Sequence, residues 1–189
     1  MARPSKEHWQ AAKATVRYLA GTIDYGIVYK GNGGLSVHGY CDADYAGDIE
    51  TRRSKTGSLI VMNGGAIDWR SHLQTTVAVS SAESEFMAAA GTTKAALCVR
   101  KLLQDFDYKV DTIKIFCDNQ AAISLLKNPI SSVRSKHIDV IWHFVRERVS
   151  RGEVIFEYLS TDKMVADCMT KALPESSFAR CRAGMGVYQ

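Results

Sequence analysis

The spacing of apolar positions divides the chain into an amphipathic opening segment, a strand-rich middle and a second half in which strands and helices alternate. Residues 6–20 place Trp9, Ala12, Val16, Leu19 and Ala20 near helical spacing, which predicts a helix stopped by Gly21. Residues 22–30 read as a short extended piece, and Gly31-Asn32-Gly33-Gly34 as a turn or boundary. From residue 35 the pattern alternates, with Leu35, Val37, Gly39 and Cys41 on one face and Ser36, His38, Tyr40 and Asp42 on the other. Residues 57–62 and 66–79 predict two more strands, joined at Gly64-Gly65. A long helix follows over 82–105, a buried strand over 113–117, and a helix over 120–127 that Pro129 closes. A helix over 136–151, a strand over 154–159 and a last helix over 164–173 complete the pattern. In that last helix Val165, Cys168, Met169 and Ala172 form the apolar stripe. Three meander strands followed by alternating units predict an α/β fold, with a mixed five-stranded sheet and helices packed against it.

Four acidic residues stand out against this pattern. Asp42 and Asp118 end apolar strand-like runs, whereas Glu85 and Asp167 sit on helical patterns. A carboxylate at the edge of a packed element needs a cation to meet it. Four of them point to hard divalent ions, because Mg²⁺ prefers carboxylate and water oxygens and leaves positions open for phosphates. Two ions about 4 Å apart would activate water on one side of a phosphodiester and stabilise the leaving oxygen on the other. That chemistry belongs to a nuclease.

Local physics selects among the acids. Ser80-Ser81-Ala82-Glu83 fits a capping box, in which Glu83 reaches back to the Ser80 backbone. Glu85, one turn into the helix, has no such task. Asp42 ends the alternating run while Asp44 lies at the exit to Tyr45-Ala46-Gly47, so Asp42 is the stronger candidate. Plainer roles stay open for the others: Asp118-Asn119 offers two good N-caps for the next helix, and Asp167 alone could lie on a solvated helix face.

Charge and cysteines add a little. The net charge of +4 and pI near 8.8 suit a polyanionic partner without establishing one. The five cysteines form no C-x-x-C pair and are odd in number, which favours reduced thiols of a cytosolic type over a disulfide framework. Cys41, Cys117 and Cys168 adjoin candidate acids, but strand alternation sends Cys41 and Cys117 into the core when Asp42 and Asp118 face the site. A mixed zinc site is therefore disfavoured. No apolar run is long enough to cross a bilayer, so no membrane partner is expected.

The residues quoted so far also fall into six ordered blocks. His8-Trp9 with Arg17-Tyr18-Leu19-Ala20-Gly21-Thr22 comes first, then Gly39 to Asp48 (GYCDADYAGD) and Ser80 to Ala88 (SSAESEFMA). Asp118-Asn119-Gln120-Ala121-Ala122-Ile123, Lys136-His137-Ile138-Asp139 and Ala166 to Pro174 (ADCMTKALP) follow. Together they resemble the ribonuclease H region of a Ty1/copia-type retrotransposon polyprotein over nearly the whole chain. The resemblance implies the RNase H fold, a two-ion site taking Mg²⁺ with Mn²⁺ as substitute, and cleavage of the RNA strand of RNA–DNA hybrids during reverse transcription. It places both the catalytic and the metal-binding roles on Asp42, Glu85, Asp118 and Asp167. It also implies that residues 1–34 are the end of the reverse-transcriptase connection, that residues 35–189 are the ribonuclease H domain, and that Met1 is an added start on an excised fragment. The expected partners are the hybrid and the reverse transcriptase domain of the parent polyprotein, in a cytoplasmic retrotransposon particle.

The resemblance is incomplete. Cellular enzymes of this fold often carry a mobile histidine in a loop before the last acid, and Ser160-Thr161-Asp162-Lys163 holds none. Ser132 stands where relatives often have histidine, and no basic protrusion is evident. RNA is told from DNA by its 2′-hydroxyls, and Ser84, Asn119 and Gln120 are suitable polar neighbours of the site. Arg52, Arg53 and Lys55, with Arg134 and Lys136, are candidates for sequence-independent phosphate contacts, or else lie in solvated basic loops. Two other readings compete with an active nuclease. One is a silent nucleic-acid-binding fragment dependent on its polymerase; the other is a DNA-cutting integrase or transposase, disfavoured because such sites generally use three acids.

Overall fold

The computed structural model describes residues 4–31, 34–127 and 136–189. Its centre is a five-stranded mixed sheet in the order β4-β3-β2-β5-β6. Strands β2 (Val37–Asp44), β3 (Lys55–Met62) and β4 (Gly65–Leu73) form an antiparallel meander, and β5 (Ile113–Cys117) and β6 (Val154–Tyr158) add in parallel on the β2 side. The β3–β4 hairpin turns on Asn63 and Gly64, with φ of 49° and 82°. Both central residues with positive φ make the tight turn whose twist suits a hairpin, and Asn-Gly is its preferred pair. The turn thus sits one residue earlier than Gly64-Gly65.

Alternation along β3 separates two apolar layers. Ile60 packs with Cys41, Ala43, Ile113 and Ile115 against helices α2 (Ser81–Asp105), α3 (Gln120–Lys127) and α4 (Lys136–Ser150). Leu59 and Val61 face the other way, onto Val165, Cys168 and Cys181 around helices α5 (Asp167–Thr170) and α6 (Glu175–Gly184). Helix α2 lies close to the sheet because it buries small residues: Ala88, Ala89, Thr92, Thr93 and Ala96. The buried hydroxyls of Thr92 and Thr93 donate to the Ala88 and Ala89 carbonyls one turn back, so they leave no unmet polar group. Phe86 of α2 stacks on Trp142 of α4 with ring centroids 5.0 Å apart. This packing fixes the N-terminal turn of α2, and with it Glu85, over the end of the sheet.

Residues before the sheet meet it through a strand pairing and a few side-chain contacts, among them Tyr18 edge-on to Phe178 and Arg182 over the Tyr25 ring. Helix α1 (Lys6–Gly21) buries none of its side chains, while strand β1 (Gly26–Ile27) pairs antiparallel with strand β7 (Val187–Tyr188). The Tyr29 hydroxyl donates to the Ala66 carbonyl at 2.8 Å, and the Lys30 N–H to the Asn63 carbonyl at 2.8 Å.

Three sequence expectations change. Residues 164–173 do not form one helix: a 3-10 turn (Thr161–Lys163) precedes the single helical turn of α5, and Lys171 is extended (φ −130°, ψ 151°). Pro174 disfavours the helical conformation for the residue before it; of the expected stripe, Val165 and Cys168 pack with Leu59 and Val61 of β3, whereas Ala172 is exposed. Helix α6 and strand β7 were absent from the pattern. Strand β4 ends at Leu73, well short of residue 79.

Candidate metal centre

Asp42, Asp118 and Asp167 each offer an oxygen to one cluster whose ligand atoms all lie within 4.8 Å of one another. Glu85 and Asp118 form a second such group, together with Cys117. The topology accounts for this. Strands β2 and β5 are parallel neighbours in the middle of the sheet, so Asp42 and Asp118 emerge at the same end. Helix α2 brings Glu85 from one layer and α5 brings Asp167 from the other.

Asp42 is 1% exposed, Glu85 6% and Asp167 8%, an unusual degree of burial for carboxylates. Asp42 accepts a short hydrogen bond from the Thr170 hydroxyl and lies 3.5 Å from the Lys171 ammonium. That ammonium also donates to Asp167 Oδ1 at 2.8 Å. Asp118 accepts from the Thr161 hydroxyl at 2.8 Å. Glu85 Oε2 is buried and has no hydrogen-bond partner among the described residues. An orphaned buried carboxylate oxygen facing other carboxylates is the donor set that a hard divalent cation needs. The residues present fit a hard divalent cation. The thiol of Cys117 approaches from the core side and is fully buried, as strand alternation requires.

Electrostatics agree. Burial pushes the Glu85 carboxyl up to about 9, with the charges of Asp42, Cys117 and Asp118 adding to it and a backbone hydrogen bond from Ala43 opposing. Burial likewise raises Asp42 to about 6; the Thr170 hydroxyl and Lys171 pull it back, and Asp167 and Asp118 push it further up. Both groups bind protons more tightly folded than unfolded. Their contribution to stability is therefore complete below about pH 4 and is lost as pH rises through about 6 and then about 9. In chelator, the melting temperature should fall between pH 5 and 9, and saturating Mg²⁺ should flatten that fall, which differential scanning fluorimetry can follow.

The other sequence candidates are placed as follows. Glu83 is a capping residue, but its Oε2 accepts from the Val79 N–H (2.9 Å) rather than from Ser80, whose own Oγ accepts from the Glu83 N–H (3.2 Å). Asp44 folds over the turn at Gly47 and stays out of the cluster. Asn119 caps α3 by accepting the Ala122 N–H at 2.9 Å, which frees Asp118 from that task. Gln120 is exposed at the start of α3. Ser84 is fully buried and its hydroxyl donates to the Ser81 carbonyl at 2.8 Å, so it presents no donor at the surface. Lys55 opens β3 opposite Asp44, and Arg52 and Arg53 lie in the loop before it. Arg134 and the side chain of Lys136 lie outside the described residues.

Sequence reasoning missed four contributors: Thr161, which donates to Asp118, and Thr170, Lys171 and Gly57 around Asp42 and Asp167. Lys171 and Thr170 stand four and three residues after Asp167, a spacing that brings side chains together on a helical turn. Gly57 pairs with Asp42 across β2 and β3, and a Cβ there would lie 2.8 Å from Thr170 Cγ2 and 2.9 Å from the Ala166 carbonyl oxygen. Its bare surface lets α5 sit on the sheet. Gly57→Ala should displace Asp167 and weaken metal affinity by about tenfold, comparable to losing a supporting contact at a metal site. Calorimetric titration with Mn²⁺ measures this.

No family model matches the chain. The Retrovirus-related Pol polyprotein from transposon TNT 1-94 of Nicotiana tabacum is 40% identical over 185 residues, covering 98% of this chain and 14% of that polyprotein. The Pol polyprotein from transposon RE2 of Arabidopsis thaliana is 36% identical over 188 residues, covering 99% of this chain and 13% of the relative. Among solved structures, LC11-RNase H1, isolated from compost, superposes with a TM-score of 0.52 at 13% identity, covering 71% of this chain and 92% of that one. LC11-RNase H1 in complex with an RNA/DNA hybrid superposes with a TM-score of 0.51 at 11% identity, covering 71% of this chain and 94% of that one. The chain is related along nearly its whole length to Pol polyproteins of copia-type transposons, and it folds as an RNase H-like domain.

Proposed function

We propose that the chain hydrolyses the RNA strand of RNA–DNA hybrids at a divalent-metal site formed by Asp42, Glu85, Asp118 and Asp167. The observation that carries this reading is the convergence of buried Asp42, Glu85 and Asp167 with half-buried Asp118, two from adjacent strand ends and one from each helical layer, with one Glu85 oxygen left without a partner among the described residues. Bound Mg²⁺ or Mn²⁺ ions would supply an activated water and charge stabilisation for the leaving oxygen of a phosphodiester. The protein's part is to hold four carboxylates at the open end of a rigid sheet. Thr161 and Thr170 orient Asp118 and Asp42 by donating to them. Asn119 and Gln120, beside the site, are the proposed readers of the RNA minor groove, which displays the 2′-hydroxyls. Arg52, Arg53 and Lys55 are proposed to hold phosphates without sequence preference.

The relatives' polyprotein setting supports a role in reverse transcription, with residues 1–34 leading from the polymerase and the particle as the place of action. The LC11-RNase H1 complex supports an RNA/DNA hybrid as the ligand of this fold. Among the described residues no helix is long and apolar enough to cross a membrane. One assay separates the readings: labelled hybrid, DNA duplex and RNA duplex, each with Mg²⁺, Mn²⁺ or chelator. Cleavage of the hybrid's RNA strand alone, abolished by chelator, is expected. Binding without cleavage would favour the silent fragment, and cutting of the DNA duplex would favour the integrase reading.

A further inference from the structure

The two halves of the acidic cluster differ in a way that the four-acid pattern does not express. On the Asp42–Asp167 side, Lys171 Nζ lies 2.8 Å from Asp167 Oδ1 and 3.5 Å from Asp42 Oδ2. Asp118 is shared by both groups, and no lysine or arginine among the described residues comes within 4.0 Å of it or of Glu85. One half therefore holds a tethered monovalent cation, and the other does not.

We infer that Lys171 is an internal counter-ion, which occupies the Asp42–Asp167 half of the site and must be displaced before a divalent ion can settle there. The inference rests on the metal-site reading above. Its geometry is specific. Lys171 follows the single helical turn of α5, its backbone N–H donating to the Asp167 carbonyl at 3.0 Å, and it is extended beyond that point. The ammonium thus returns to the carboxylate that begins the same turn, while the Thr170 hydroxyl next to it engages Asp42. The lysine side chain is 36% exposed, so the ammonium has a route out into solvent along its flexible stem.

Two consequences distinguish this role from ordinary packing. The Glu85–Asp118 half fills first, and the Asp42–Asp167 half fills more weakly because a charge already sits there. Removing the ammonium should tighten the weaker position, whereas losing a merely structural contact would loosen it. Lys171 also limits carboxylate repulsion in the metal-free protein, so its removal should lower the melting temperature in chelator only.

The test is calorimetric titration of Mn²⁺ into the whole chain and into Lys171→Met, Lys171→Gln and Lys171→Arg, with melting curves in chelator and in saturating Mn²⁺. Wild type is expected to show two classes of binding. The weaker class should tighten by roughly fivefold in Lys171→Met and Lys171→Gln, the order expected when the incoming ion no longer has to break a partly exposed ion pair. Lys171→Arg should stay close to wild type. Melting temperatures of the neutral variants should fall in chelator and match or exceed wild type in Mn²⁺. If one neutral variant fails to fold in chelator, the other is titrated in its place, and refolding of the first on Mn²⁺ addition would itself support the role. Equal or weaker Mn²⁺ affinity in the neutral variants overturns the inference while leaving the metal site standing. Absence of Mn²⁺ binding in wild type overturns both.

Discussion

Glu85→Gln is expected to lower cleavage of a labelled hybrid by more than about a hundredfold, beyond the 10–100-fold typical of losing a group that only supports a metal ligand. Folding should be almost untouched. The Glu85 carboxyl is raised to about 9 mainly by burial, so the metal-free protein carries it protonated at neutral pH. An amide of the same shape replaces that protonated acid closely. Glu83→Gln should behave in the opposite way. Glu83 accepts from the Val79 N–H at the start of α2, and weakening that contact costs at most about 1 kcal/mol of stability while leaving the rate largely intact. Rates and melting temperatures of the two variants, measured side by side, decide the assignment. A fast Glu85→Gln and a slow Glu83→Gln would move the site two residues along the helix.

Asp118→Asn carries the second large effect. Hybrid cleavage should be lost, yet the protein in chelator should melt higher, by about 2–4 °C if removing the charge relieves about 1 kcal/mol of repulsion. The cap of α3 survives the change because Asn119, not Asp118, accepts the Ala122 N–H. An asparagine oxygen can also still accept the Thr161 hydroxyl that Asp118 Oδ2 now takes at 2.8 Å. In saturating Mg²⁺ the order should reverse, since wild type gains binding free energy that the variant lacks. A function-bearing group that opposes stability is a common cost of such sites. An inactive variant that melts well below wild type in chelator would return Asp118 to a structural role.

The elements legible in the sequence share a cause, local periodicity, whereas the grouping of the four acids rests on the resemblance. The strand at Ile113–Cys117 and the helices beginning at Gln120 and Lys136 start where their patterns start. Period-two alternation set Asp42 and Cys41 on opposite faces of β2, and Cys41 lies in the core while Asp42 lies beside Asp118 and Asp167. The features that escaped depend on distant partners. Helix α6 offers a weak apolar stripe because it buries little beyond Cys181, although Pro174 before it and Glu175 in its first turn were available as start signals. Strands β1 and β7 have two residues each, too few for any period to register. Lys171 carries no periodic signal of its own, and its ammonium meets Asp42 only because α5 is seated on the sheet. The bare surface of Gly57 matters only through Thr170 and Ala166, which are distant in the chain and pack on it. Periodicity places residues along elements; the meeting of α2, α5, β2 and β5 at one end of the sheet is a tertiary fact.

The central claim is that these four carboxylates form one divalent-ion site. Anomalous scattering from crystals of the chain grown in saturating Mn²⁺ tests it most directly. Two peaks about 4 Å apart, enclosed by Asp42, Glu85, Asp118 and Asp167, are the expected result. Density for Mn²⁺ elsewhere on the molecule, with none beside these carboxylates, would contradict it.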